Sequence, residues 1–128
     1  MKSIILSVLA IVLTMLLSIA PGTGAAPPVT ESHCIRLGDM NGVFLMLTNC
    51  DSINLNINSS QPAGVNSAGN PVPPFSSTQI TAPGEENRMN GGWFGVPEKW
   101  WACSVPKVPI DTNTNQQPTY QSTNVVCK

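Results

Sequence analysis

Four cysteines, Cys34, Cys50, Cys103 and Cys127, constrain this chain more than any other feature. An even number in a short exported chain reads as a disulfide framework, and four cysteines permit three pairings. Export is read from residues 1–25. Lys2 supplies a short positive start, Ile4 to Ala20 is an apolar run broken only by Ser and Thr, and Pro21-Gly22 ends it. Thr23-Gly24-Ala25 then offers the small residues of a cleavage site, which places the mature start at Ala26. The run approaches the ~17–25 residues that can span a bilayer, so an uncleaved anchor is the competing reading. The small-residue site and the lack of a flanking basic cluster favour cleavage. The expected location is therefore secreted or periplasmic, with no membrane attachment once the signal is removed.

A framework of bonds is favoured over a metal site. Zinc sites in small domains use close pairs of ligands presented from a tight turn. No two cysteines here are so spaced, and only His33 could join them. No metal or cofactor is expected.

Residues 26–33 read as a flexible arm led by Pro27-Pro28, and residues 34–128 as a single domain. Within it Asn41-Gly42 is the dipeptide that favours positive φ in tight hairpin turns. The run 43–49 that follows reads as a mostly buried strand, with a helix as the alternative because Leu and Met are good helix formers. In residues 53–58, Ile53, Leu55 and Ile57 alternate with Asn54, Asn56 and Asn58. A period of two implies one face in the core and one in water, so the asparagines are expected outside. Asn58 also heads an Asn-Ser-Ser glycosylation sequon, meaningful in a eukaryotic source.

Residues 59–77 read as a loop with a proline-stiffened end at 71–75. A short strand around Ile80 runs into Pro83-Gly84, which suits a type II turn. Asn90-Gly91-Gly92 reads as a further break. A strand over 99–105 is confined to an edge or an irregular connection by Pro106 and Pro109, and a last strand spans 120–127. No segment sustains a helical period. The fold expected is all-β, a small antiparallel sandwich or barrel stapled by two disulfides.

The turns suggest which disulfides. Cys34 and Cys50 bracket Asn41-Gly42, and a hairpin there would bring its ends together. Cys103 and Cys127 flank a polar loop centred on Asn115, which would set them nearly opposite one another. The expected pairs are Cys34–Cys50 and Cys103–Cys127.

Several short features together carry a resemblance. They are the Thr48-Asn49-Cys50 strand end, the alternating strand at 53–57 and the Pro83-Gly84 turn, followed by Trp101-Ala102-Cys103 leading to Pro106 and a terminal Cys127. This outline resembles small exported β-domains of bacteria, most of which carry no assigned function. It is also distantly similar to the opening of thaumatin-like domains, where an Asn-Cys junction and a Pro-Gly turn recur. The resemblance covers most of residues 34–128 and implies a β-domain without implying a reaction. The chain has about half the length of a thaumatin-like domain and far fewer cysteines, so that family's acidic cleft is not carried over.

Composition narrows the function. A formal net charge of −1 leaves no basic footprint for nucleic acid. The single histidine, His33, reads as a solvent-exposed residue at a strand entrance rather than a catalytic base. The carboxylates Asp39, Asp51, Glu85, Glu86, Glu98 and Asp111 all lie in or beside turns, where surface carboxylates normally sit. No catalytic residue is expected. What remains is a non-enzymatic interaction or structural module with an unknown protein or glycan partner.

Trp93, Trp100, Trp101 and Tyr120 are the candidate binding residues. Exposed rings stack on sugar C–H faces, which makes a carbohydrate-binding module the alternative. A secreted protease inhibitor is a further one. Successive residues of a strand point to opposite faces. Trp101 is thus expected to pack on the disulfide with Cys103. Trp100 would face the other way, open or covered by residues 71–75.

Overall fold

The structure, a computed structural model, describes residues 30–128. The expected signal peptide and the arm as far as residue 29 lie outside the described residues. Ten strands in antiparallel sheets make up the regular structure, with no helix among the described residues. The chain is all-β, as expected.

One sheet joins β1 (Ile35–Met40), β2 (Phe44–Asn49) and β7 (Glu86–Trp93) in the order β1-β2-β7. The second joins β3 (Leu55–Gln61), β6 (Phe75–Thr81) and β8 (Lys99–Ser104) in the order β6-β3-β8. They pack as a sandwich around Leu45, Leu47, Leu55, Ile57, Met89, Trp100 and Ala102, with Ile35 at the margin. Two ribbons complete the fold. One is β4 (Gly64–Val65) with β5 (Pro71–Val72), and the other is β9 (Pro109–Asp111) with β10 (Val125–Cys127).

Both expected turns are present. Asn41 and Gly42 have φ of 59° and 67°, the positive values that a tight hairpin turn requires. Gly84 has φ 76°, and Glu85 N–H donates to Ala82 O at 2.9 Å, which closes the Pro83-Gly84 turn with its glycine in the third place.

The second sheet is covered on both faces, and this corrects the reading of its central strand. β3 begins at Leu55 and is buried along its whole length; Ile53 precedes it and is exposed. Leu55 and Ile57 face the sandwich core. Asn56 and Asn58 are also buried, under the C-terminal segment that follows β8. Asn56 Nδ2 donates to Lys107 O at 2.7 Å, and Asn58 Nδ2 to Thr78 Oγ1 at 3.0 Å. Alternating polarity here marks two kinds of packing. Both amide nitrogens find partners, while Asn58 Oδ1 is buried without one. With Asn58 sealed beneath the cover, its sequon offers no acceptor in the folded protein.

The expected 59–77 loop is replaced in part by structure. Residues 59–61 complete β3, the β4–β5 ribbon lies within the stretch, and β6 starts at Phe75. The 43–49 strand is half-buried, with Leu45 and Leu47 inward and Phe44 and Met46 outward. Asn90-Gly91-Gly92 is no break but lies inside β7, where the register with β2 shifts. A Cβ on Gly92 would come 2.5 Å from the Met89 Cβ, so the close approach in this bulge requires glycine. The last strand is only Val125–Cys127.

Both expected disulfides form. Cys34–Cys50 ties the ends of the β1–β2 hairpin, where Cys50 N–H also donates to Cys34 O at 3.1 Å. Cys103–Cys127 has the expected partners by a different route. β10 pairs with β9 rather than β8, with Cys127 opposite Pro109. The bridge therefore staples the C-terminal cover onto the second sheet.

The expected arm is corrected at residues 30–33. Thr30 Oγ1 donates to Ala102 O at 2.6 Å, and Glu31 accepts from both N–H and Oγ of Ser104 at 3.1 Å. These residues belong to the folded body.

Candidate functional site

The side of the β1-β2-β7 sheet turned away from the core carries a continuous set of side chains. Cross-strand pairing places Met40 beside Phe44 and Phe44 beside Trp93. One row along, Gly38 pairs with Met46 and Met46 with Arg88; a further row joins Arg36, Thr48 and Glu86. The Phe44 and Trp93 rings meet at a centroid distance of 4.6 Å and a 42° tilt. The Arg88 guanidinium lies 4.1 Å above the Phe44 centroid, a cation–π contact.

The bulge at Gly92 contributes to this arrangement. It shifts the register so that Met89 enters the core while Arg88 and Trp93 both reach Phe44 outside. On this side Met40, Phe44, Met46 and Trp93 are half-buried and both arginines are exposed. Beside Met46 the position of Gly38 is open, with no atom within 4 Å of where a Cβ would stand. Arg36 and Arg88 are the only arginines of the chain, and both project here.

Of the four expected binding residues, only Trp93 belongs to this face. Trp100 and Trp101 are buried, at 7% and 2% exposure. They point to opposite faces as strand geometry requires, but both faces are covered. Trp101 is buried on the side it shares with Cys103, as expected, and the C-terminal segment lies over that side. Trp100 enters the sandwich core among Leu45, Leu47 and Met89 and is not covered by residues 71–75. The paired-tryptophan platform is therefore absent. Tyr120 is half-buried on the far side of the second sheet, with Lys99 Nζ 4.8 Å from its ring centroid.

Phe44, Met46 and Arg88 were not among the expected site residues. Their signal is the alternation of Phe44 and Met46 with Leu45 and Leu47, hidden because all four are apolar. Arg88 takes its place through a bulge that no local pattern announces.

Elsewhere His33, Glu31 and Asp51 engage one another. His33 is nearly enclosed rather than solvent-exposed, with Nδ1 2.6 Å from Asp51 Oδ2 and Nε2 2.7 Å from Glu31 Oε2. Burial alone would lower its pKa, but the hydrogen bonds to Glu31 and Asp51 outweigh this and hold it above 6.5. The same bond to His33, then the one from the Ser104 N–H, draws Glu31 down to about 2. Asp51 is lowered first by its bond to His33. Ser104 Oγ, the hydroxyl nearest this cluster, donates to Glu31 and not to the imidazole. The group forms an ionic clasp that ties residues 31–33 to the β2–β3 junction and the end of β8.

Asp111 and Glu98 both depart from surface placement; the Asp111 carboxylate accepts from Ser122 Oγ, whereas Glu98 is buried alone. It is 4% exposed, neither carboxyl oxygen has a partner, and burial raises its pKa to about 9. It is therefore a neutral acid at pH 7.

No family model, curated protein or solved structure matches the chain. Its two disulfides are compatible with an extracellular or periplasmic location.

Proposed function

We propose that this protein is an exported, non-enzymatic module that binds another protein through the outer side of the β1-β2-β7 sheet. One observation carries the reading: cross-strand pairing puts Met40, Phe44, Met46, Trp93 and both arginines together on the side of the β1-β2-β7 sheet turned away from the core. Tryptophan, phenylalanine, methionine and arginine are the residues enriched in the cores of protein interfaces, while lysine and aspartate are depleted. Only Glu86 supplies a negative charge in these rows, and no lysine is present. The platform sits on a doubly stapled scaffold, so little ordering is needed on binding. The absence of catalysis is read from His33, whose two ring nitrogens are both engaged by carboxylates. Export rests on residues 1–25, and the mass of secreted material should correspond to a chain beginning at Ala26.

A photoreactive side chain at Thr48, in the same rows, provides the test. Applied to material from the native host, it should yield a discrete cross-linked protein. A control at Asn113, on the distant C-terminal loop, should not. Against the partner so identified, Phe44→Ala and Trp93→Ala should each lose ~2 kcal/mol of binding or more, the loss expected at a hot spot. Cross-links formed equally from Asn113, or undiminished affinity in both variants, would place the partner elsewhere.

A further inference from the structure

A cleft of about 310 Å³ opens on the other layer of the molecule, between the ends of β3 and β6 and the 119–121 turn of the C-terminal cover. It is lined by none of the side chains of the β1-β2-β7 face, although Gln61 Oε1 accepts from the Trp93 backbone N–H at 3.3 Å at its margin. Its walls combine aromatic and proline carbon from Phe75, Tyr120, Pro62 and Pro74 with neutral polar groups. None of its lining residues carries a formal charge. Lys99, the nearest cation to Tyr120, has its ammonium engaged by the Tyr120 carbonyl at 2.8 Å.

The cleft is held open by hydrogen bonds that its walls make among themselves. Ser60 Oγ donates to Phe75 O at 3.2 Å, and Gln61 Nε2 to Pro73 O at 2.9 Å. Ser76 Oγ reaches across to Pro118 O and ties β6 to the cover. Behind Tyr120, the Thr119 N–H donates to Ser122 Oγ at 3.0 Å, and that hydroxyl donates to the buried carboxylate of Asp111. Each wall is thereby fixed before any ligand arrives, which lowers the ordering cost of binding.

Three groups remain available in this frame. The Phe75 side chain is 40% exposed at the cleft. The Tyr120 hydroxyl and the Gln121 side-chain amide make no hydrogen bond to any described residue. An apolar ring beside a free hydroxyl and a free amide matches a ligand with one C–H face and a rim of hydroxyl groups. The lack of charge in the lining excludes recognition by ion pairing. The volume is at the lower end of the ~300–1,000 Å³ of small-molecule sites, which favours a compact ring over an extended peptide. A proline helix advances ~3.1 Å per residue and needs a groove along which successive turns can dock.

We propose that this cleft binds a single neutral pyranose unit of a glycan, stacked on Phe75 and hydrogen-bonded by Tyr120 and Gln121. The test is a titration of the isotope-labelled protein, followed by NMR, with methyl pyranosides of glucose, galactose, mannose and N-acetylglucosamine. At least one should shift the amide signals of Ser60, Gln61, Phe75, Tyr120 and Gln121 in a saturable way at millimolar concentration. Phe75→Ala and Gln121→Ala should each weaken that response about tenfold or more. Gln121 is exposed, so its variant remains informative should Phe75→Ala fold poorly. Ile53→Ala, an exposed position outside both sites, should bind the sugar like the unmodified protein. Absence of saturable shifts across the panel overturns the proposal. So does a response confined to residues outside the cleft, or one given by a proline decapeptide and by no sugar.

Discussion

Trp100→Ala should destabilise the protein by ~3–5 kcal/mol, the range for removing a large aromatic from a packed core. The ring is 7% exposed and lies among the side chains that join the two sheets. Removing it leaves a void between Leu45, Leu47 and Met89, which belong to a sheet tied down by its own hairpin disulfide and able to collapse only in part. A domain of this size has ~5–15 kcal/mol of total stability, so a large share would be lost. Trp100→Phe should be much milder. It keeps most of the apolar volume and removes an indole N–H that is buried without a partner. Urea unfolding of both variants checks this. An alanine variant as stable as the unmodified protein would mean that the Trp100 ring lies outside the core.

Stability should also fall as pH rises from mildly acidic to alkaline values, with Glu98 the chief cause. Its carboxyl has the ordinary pKa of 4.5 in the unfolded chain and one of about 9 when folded. Below pH 4.5 the acid is neutral in both states and contributes no penalty. Between 4.5 and about 9 the unfolded chain releases a proton that the folded one retains. Each pH unit in that interval lowers stability by ~1.4 kcal/mol, or by ~3 kcal/mol on reaching pH 7. Glu98→Gln should abolish this component and stabilise the protein at pH 7, while changing little at pH 4.

The clasp around His33 acts in the same direction over the upper part of this range. Its folded pKa is raised, so its contribution is complete below 6.5 and is lost as pH climbs through the folded value. Glu31 acts oppositely at the acid end, stabilising fully above 4.5 and losing effect as pH falls toward about 2. Together these place the stability optimum between pH 4.5 and 6.5, with Glu98 shifting it toward the acid end. Denaturant midpoints measured from pH 4 to 9 would reveal it. An optimum above pH 8, or a slope unchanged by Glu98→Gln, would contradict the burial of this carboxyl.

What was legible in the sequence was the chemistry of turns and bridges. Asn41-Gly42 and Pro83-Gly84 demand particular backbone angles whatever surrounds them, and the Cys34–Cys50 pair follows from the first of these turns. What depended on distant packing was not legible. The alternation around Leu55 and Ile57 correctly indicated a strand, yet the second face of that strand is closed by residues more than 40 positions later, from Lys107 onward. The same cover buries Trp101, and the opposing sheet buries Trp100. Local sequence separates the two faces of a strand but does not say whether each has a lid.

Glu98 shows the limit in another form. It stands beside Pro97 in a segment that reads as a turn, and nothing local in the sequence marks it as buried. The outer side of the β1-β2-β7 sheet was hidden for the opposite reason. Phe44 and Met46 are as apolar as their core-facing neighbours, so composition alone assigns them to the interior.

The exchange of the three tryptophan indole N–H groups with water, resolved by NMR and assigned through single Trp→Phe variants, tests the central claim most directly. The Trp93 signal should exchange rapidly and broaden on contact with a soluble paramagnetic probe, because the half-buried Trp93 lies on the side of its sheet turned away from the core. Those of Trp100 and Trp101 should persist in deuterated solvent and ignore the probe, including Trp100, whose N–H has no partner but is sealed in the core. Rapid exchange at Trp100 or Trp101 with protection at Trp93 would contradict the account, and would return the binding surface to the paired tryptophans.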